Sequence, residues 1–559
     1  MSTRFWQILI VLLFSFNLAH PQSVVNSLHN LSASGPGSIR ATSEQEICIF
    51  CHTPHSAKAD SPLWNKNDPG VFYNLYTSST IQSVPGQPAN SSILCLSCHD
   101  GTIALGNVLS RASDIDFSGG ITMMPPGSSN LSTDLSDDHP VSFQYNSTLA
   151  AADGQLIDPA LITSPVTLEN GNLECTSCHD PHSDIFDNFL VLSNQFSDLC
   201  YKCHDRSYWS SSSHNTSTAT WNGSGNNPWF HTDYSRVSEN ACENCHNPHG
   251  AEGKPVLLNY IAEENNCLVC HNSNVAATDI SSQLTKAYTH NVYAYNLTHL
   301  PSESPLVTSM HVECEDCHNP HAVNNSSASP PAVSGSIFGA KGVDIGGGEL
   351  NQALNQYEVC FRCHADSPGK PGSSTVRVIE QSNTRLEFNP LNPSYHPVAA
   401  AGKNTDSPSL ILPYTESSMI YCSDCHAGDG AGSPAGPHGS SYPHILKLRY
   451  ETADLTIETP DTYALCYSCH SRTSILANES FTYHYTHIVE ENTPCNICHD
   501  PHGISSTQGT DANNSHLINF DATVVTASGS GIRFVDTGDR HGYCMLRCHF
   551  RGHGAGMSY

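Results

Sequence analysis

Charge is scarce in this chain, and positive charge scarcer still. Charged residues make up 13% of its 559 positions, about half the usual ~25% share. Lys and Arg total 23 against 52 Asp and Glu, a formal net charge of −29. So acidic a balance argues against nucleic acid as a partner, because phosphates are held by Lys and Arg. Apolar residues reach only 38%, below the ordinary ~45–50% and thin for the several cores this length predicts. Beyond the N-terminus no stretch approaches the ~18 apolar residues of a membrane span. No Cys precedes Cys48, so no tether through a lipid-modified N-terminal cysteine is expected. Met is scarce at 7, which leaves few thioethers to serve as metal ligands.

The first residues, MSTRFWQILIVLLFSFNLAH, place Arg4 before an apolar run from Phe5 to Leu18. That run is too short for a comfortable span and fits a secretory leader over residues 1–19, with the small residue Ala19 at the cleavage site. The mature chain is expected to be exported, with no transmembrane segment.

No cysteine is left over once spacing is considered. Eleven pairs read C-x-x-C-H: Cys48, Cys51 and His52; Cys95, Cys98 and His99; Cys175, Cys178 and His179; Cys200, Cys203 and His204; Cys242, Cys245 and His246; Cys267, Cys270 and His271; Cys314, Cys317 and His318; Cys360, Cys363 and His364; Cys422, Cys425 and His426; Cys466, Cys469 and His470; Cys495, Cys498 and His499. A twelfth, CMLRCH, holds Cys544, Cys548 and His549 with one extra residue. C-x-x-C-H is the attachment motif of c-type haem. Two thiols add to the porphyrin vinyls, and the adjacent imidazole reaches the iron. Zinc ribbons, disulfides and redox C-x-x-C motifs do not require His after the second Cys. The expectation is twelve haem c groups, or eleven if CMLRCH carries none.

The motifs alternate between two flavours. The first comprises ICIFCHTPH, ECTSCHDPH, ACENCHNPH, ECEDCHNPH, YCSDCHAGD and PCNICHDPH; five of the six continue as H-x-P-H. In the second a large apolar or aromatic residue follows the first Cys: Leu96, Tyr201, Leu268, Phe361, Tyr467 and Met545. Such self-similarity marks an array of one small unit. This alternation resembles the doubled-CxxCH class of multihaem c-type cytochromes. The ICIFCHTPH start, with LWN at Leu63–Asn65, is similar to larger exported members from metal-respiring bacteria, some of which form filaments. The chain departs from the pattern at Cys422, where HAGDGAG replaces H-x-P-H, and at Cys544. Six two-haem modules are expected, at residues 20–150, 151–213, 214–285, 286–380, 381–478 and 479–559.

The second axial ligand decides between carrier and catalyst, since an open iron admits substrate. The second His of H-x-P-H supplies His55, His182, His249, His321 and His502, each expected to cap the other haem of its own module. His438 or His444 substitutes in the fifth module. Upstream of each first-flavour motif stand His29, His139, His231, His299 or His311, His396, and His484 or His487. This group is assigned to the first haem of each module. His20, His214, His290, His516, His541 and His553 remain unassigned.

The expected fold is a multihaem cytochrome c: mostly irregular coil, short helices, a few small hairpins and a haem-filled core. Hairpins are expected at Ile445–Tyr450, Leu455–Glu458 and Ile532–Val535. The expected function is electron carriage along a closely spaced haem chain, periplasmic or extracellular, with the cell surface favoured and a polymerised filament as an extension. The alternative is a multihaem oxidoreductase acting on a small nitrogen or sulfur compound at one open haem. Partners are redox proteins or extracellular metal acceptors, with no catalytic residues in the carrier reading.

Overall fold

Short helical turns interrupt otherwise irregular chain, and the cysteine motifs sit in those turns. The computed structural model describes residues 24–559 except 60–62, 296, 298–302, 309–310 and 530. The leader, His20 and His299 lie outside the described residues. Close contacts divide the chain into two units: Met1–Tyr76 with Ile81–His204, and Thr77–Thr80 with Asp205–Tyr559. The first unit carries four motifs and the second eight. Among the described residues no helix is long and apolar enough to cross a membrane.

The motif turn follows from backbone hydrogen bonding. In nine motifs the N–H of the motif His donates to the first Cys carbonyl at 2.7–3.0 Å. Two others end the longest helices, Asn90–His99 and Gln356–His364. One helical turn brings residues i, i+3 and i+4 onto one side, so both thiols and the imidazole share a face. Side chains cap several of these turns. The Glu313 N–H donates to Asp316 Oδ2 at 2.9 Å and the Tyr421 N–H to Asp424 Oδ2 at 2.8 Å. Such caps satisfy donors that a one-turn helix otherwise leaves bare.

Apolar burial is dispersed among small clusters. One comprises Val343, Tyr357, Phe361, Ala365, Phe388 and Val398 in the second unit. Another comprises Ala41, Ile49, Phe50, Leu105 and Phe117 in the first. The large residue after the first Cys of the second-flavour motif plugs such clusters at Leu96 and Phe361, which are 2% and 1% exposed. Sheet is sparse. Among the described residues, five two-stranded pairings involve strands of two residues, and one antiparallel three-stranded sheet joins Arg533–Gly538, His541–Cys548 and Arg551–His553. The expected hairpin at Ile532–Val535 thus forms, beginning at Arg533. Those at Ile445–Tyr450 and Leu455–Glu458 do not. Ile445 and Leu455 adopt left-handed backbone, φ 54° and 59°, which breaks an extended run.

Glu174 joins two motifs of the first unit. Its side chain is fully buried and accepts from Asn90 Nδ2 at 2.9 Å, Ser92 Oγ at 2.5 Å and Ser142 Oγ at 2.7 Å. Ser92 Oγ in turn accepts from the Cys175 N–H at 3.0 Å. This network fixes the Cys95 helix against the Cys175 turn. Glu174→Ala strands buried donors, each worth roughly 1–3 kcal/mol. The expected loss is about 2–4 kcal/mol in chemical denaturation, and Glu174→Gln should lose less.

Candidate haem-iron sites

Ten motif histidines, each on a helical turn, are approached by a distant imidazole. The motif rings are oriented by backbone carbonyls. Nδ1–H donates from His99 to Ser129 O at 2.7 Å, from His179 to Asn188 O at 2.8 Å, from His246 to Val256 O at 2.9 Å and from His318 to Ser336 O at 2.6 Å. His426 donates to His444 O at 2.8 Å and His499 to His516 O at 2.9 Å. A carbonyl only accepts, so these bonds put the proton on Nδ1 and leave the Nε2 lone pair for a metal.

Facing rings complete the sites. In the first unit His29 faces His99, His182 faces His52 and His139 faces His204, with ring centroids 6.2, 6.1 and 6.2 Å apart. In the second, His214 faces His271, His321 faces His246 and His290 faces His364, each at 6.2 Å. His438 faces His318 and His502 faces His426, both at 6.1 Å, and His484 faces His499 at 6.5 Å. His396 approaches His470 closely enough to oppose its protonation. Rings in contact would change separation with tilt, since parallel rings approach more closely than perpendicular ones. Here interplanar angles run from 5° to 87° at nearly constant separation. A constant gap independent of tilt fits one atom held between two nitrogens, each about 2.0–2.1 Å away as in metal–imidazole bonds. The donor set therefore fits a six-coordinate haem iron, for which porphyrin supplies the other four nitrogens and one-electron chemistry.

Burial favours the neutral form of several of these imidazoles. It pushes His271, His364, His426, His438, His470 and His499 down to about 4, and His484 to about 3. Neutral imidazole is the metal-binding form. Burial also pulls His502 down, but Glu387 Oε2, 3.1 Å from its Nδ1, outweighs that and leaves it raised. A carboxylate behind a histidine is a common orienting partner in metal sites.

The partners of the rings differ from the sequence expectation in a regular way. His182, His321, His438 and His502 face the first motif His of the preceding module, not a haem of their own. The upstream His29, His139 and His396 approach the second motif His of their own module, not the first, as do the unassigned His214 and His290, whereas His484 faces the first, His499, as expected. The reason lies in the Pro before the reaching His. His29 Nδ1–H donates to Pro181 O at 3.1 Å and His214 Nδ1–H to Pro320 O at 2.9 Å. His396 donates to Pro501 O, and His290 bonds the Pro437 carbonyl. One Pro-His dipeptide thus serves both sites of the module before it: the carbonyl orients one imidazole, and the ring completes the other site. His438 fills this role in the fifth module despite HAGDGAG.

Other candidates lie elsewhere. His231 donates from Nε2 to Glu243 O at 3.0 Å. His311 stacks on Tyr295 at 3.9 Å, with Nδ1 3.8 Å from Glu303. His55, His249 and His444 are exposed. His214, His290 and His553, unassigned from sequence, all face another imidazole. Motif spacing offered a signal for the first two, since each precedes a first-flavour motif as His29 and His396 do.

The thiols follow one another in chain order within each unit. Cys95 lies within hydrogen-bond reach of Cys175 in the first unit. Cys267 reaches Cys314, Cys360 reaches Cys422 and Cys466 reaches Cys495 in the second. Within modules Cys51 neighbours Cys98, Cys178 neighbours Cys203, Cys245 neighbours Cys270 and Cys425 neighbours Cys469. Burial, then the neighbouring thiol, pushes Cys51 up to about 12. Carboxylates of the Cys267–Cys314 junction are also desolvated: burial raises Glu263 to about 9 and Glu313 to about 8.

The last motif differs. Cys544 and Cys548 lie on the strand His541–Cys548 instead of a helical turn. The extra residue disrupts the i, i+3 spacing on which the turn depends, and pairing with Arg533–Gly538 supplies an extended alternative.

Comparison with known proteins agrees with this chemistry. Residues 348–512 match the family described as outer membrane cytochrome MtrC/MtrF-like, domains II/IV. Residues 167–207 and 235–276 match the doubled CXXCH motif family. The chain is 23% identical over 275 residues to the multiheme cytochrome MtrA of Shewanella baltica (strain OS185), covering 47% of this chain and 58% of that relative. The chain thus spans less than two thirds of the curated relative it matches. These matches support a multihaem c-type cytochrome.

Removing a reaching imidazole tests the pairing. His182→Ala should leave one ferric iron high-spin in electron paramagnetic resonance of the holoprotein. The same substitution on a Cys48→Ala, Cys51→Ala background should add no high-spin signal, because the affected haem is then missing. A signal that persists there would assign His182 to its own module.

Proposed function

We propose that the chain is a dodecahaem electron carrier in which two imidazoles close each iron and successive haems follow in chain order. The observation that carries this reading is the recurrence of facing imidazoles 6.1–6.2 Å apart beside thiols that neighbour one another from motif to motif. Axial ligands, hydrogen bonds and burial tune each potential. Two imidazoles per iron favour lower potentials than a Met ligand, and they leave no face of the metal for substrate. Of the six modules at 20–150, 151–213, 214–285, 286–380, 381–478 and 479–559, those that share a unit interlock, because the ligand for one module's first haem comes from the next.

Export to the cell surface or extracellular space is part of the proposal. The Phe5–Leu18 run and the likeness to outer membrane cytochrome domains support it. A net charge of −29 favours basic redox proteins, cations and metal-bearing surfaces as partners over acidic ones. A filament of end-to-end copies would extend the same chain of haems. Electron microscopy of purified holoprotein distinguishes it from a monomer.

Reductive titration followed by optical and paramagnetic spectroscopy tests the carrier reading. The expected result is twelve haems by intact mass, all low-spin when oxidised, taking up twelve electrons over a broad potential range. A stoichiometric high-spin haem in the unmodified protein would favour the oxidoreductase instead. Chain produced without haem attachment should show no cooperative thermal unfolding, since coordination supplies folding energy that apolar burial lacks.

A further inference from the structure

We propose that Lys66 is a built-in positive charge that raises the reduction potential of the two haems attached at Cys48 and Cys51 and at Cys95 and Cys98, so that electrons settle first in the first module. This inference rests on the haem-chain reading and adds to it a residue that sets potential.

Lys66 ends the segment LWNK, Leu63–Lys66, whose sequence ligation and thioether attachment do not account for. Asn65 and Lys66 are both 0% exposed. The Asn65 N–H donates to the Cys51 carbonyl at 2.9 Å. Its side chain exchanges two bonds with Ser110, giving Nδ2–H to Oγ and accepting the Ser110 N–H at Oδ1, each at 2.9 Å. The segment is thereby fastened to the first motif, and Lys66 enters the interior beside it. Its Nζ donates to Ala104 O at 3.2 Å, Leu105 O at 2.9 Å and Asn107 O at 3.0 Å. An ammonium carries three protons, and each finds a backbone carbonyl.

This cage lies at the junction of two haem attachments. Leu105 belongs to the apolar cluster against which Cys51 and Cys98 both pack. Burial pushes both thiols up, and the Lys66 charge opposes that rise at each. The two cysteines serve different haems, so one ammonium acts on both. Asp100 acts on Cys98 in the opposite sense. Its carboxylate is engaged elsewhere, accepting from Tyr73 Oη at 2.6 Å and from the Thr102 N–H and Oγ1 at 2.8 Å.

Other buried cations are arranged differently. Among the described residues these are Arg362 and Arg377. Arg362 pairs with Asp316 at 3.1 Å and Arg377 lies 3.6 Å from Asp500. A carboxylate cancels much of a cation's field at a distance, whereas carbonyls carry no net charge. In a buried setting the remaining field is weakly screened. Reducing one ferric iron adds one electron and lowers its charge by one, with no bond made or broken and no proton moved at Lys66. A fixed ammonium therefore favours the ferrous form, and the potential rises.

Spectroelectrochemical titration of the holoprotein tests the assignment. Lys66→Gln keeps an N–H donor and removes the charge. With twelve haems retained by intact mass, two of the twelve one-electron steps should move to lower potential while the other ten stay in place. Lys66→Arg, which keeps the charge, should leave those two steps near their original positions. A second measurement leaves Lys66 untouched. The Cys48→Ala, Cys51→Ala variant lacks one haem, and its titration should lose a step from the high-potential end. Unmoved steps in Lys66→Gln with all haems attached, or loss of a step from the low-potential end in the cysteine variant, would overturn the assignment. Either result leaves the haem chain standing. That reading fails separately, if the unsubstituted protein carries no covalent haem.

Discussion

The structure depends on imidazole pairs held a fixed distance apart by the backbone. A carbonyl behind the ring takes the Nδ1 proton, fixes the tautomer and aims Nε2 at a point that a second imidazole also faces. Ser129, Asn188, Val256, Ser336, His444 and His516 supply carbonyls for motif rings. Pro181, Pro320 and Pro501 supply them for partner rings. None of these contacts needs an acceptor side chain. That explains why the sequence between motifs can drift toward Ser, Thr, Asn and Gly while the sites persist.

The same contacts set the order of the chain. Within a unit, a Pro-His dipeptide that serves the two sites of the preceding module ties that module to the next. Folding of one module is then linked to folding of its neighbour, much as in repeat arrays stabilised by their interfaces. Small clusters such as Val343, Tyr357, Phe361, Ala365, Phe388 and Val398 are local supports in this scheme. In the carrier reading proposed above, metal coordination provides the longer-range connections, in keeping with the low apolar content.

Much of the site was legible before the fold was known. The cysteines and motif histidines announced themselves because thioether attachment and ligation demand a fixed covalent spacing. Of the reaching histidines, His29, His139, His182, His321, His396, His438, His484 and His502 were legible as residues, but apart from His484 not as connections. His182 carries no local mark saying whether its ring turns toward Cys200 or back toward Cys48, since that depends on where two distant turns meet. His214 and His290 lacked even the Pro-flanked context of His396. The fold was legible mainly as a deficit: weak periodicity predicted irregular chain, and one expected hairpin of three formed. Left-handed residues at Ile445 and Leu455 are set by local packing that an apolar alternation does not reveal.

An experimental density map of the holoprotein with iron positions located by anomalous scattering addresses the central claim most directly. It should show irons midway between His182 and His52, His321 and His246, His438 and His318, and His502 and His426, with successive irons following the order of the cysteine motifs. Irons capped by histidines of their own module, or an order in space that departs from the order of the motifs within a unit, would contradict the account.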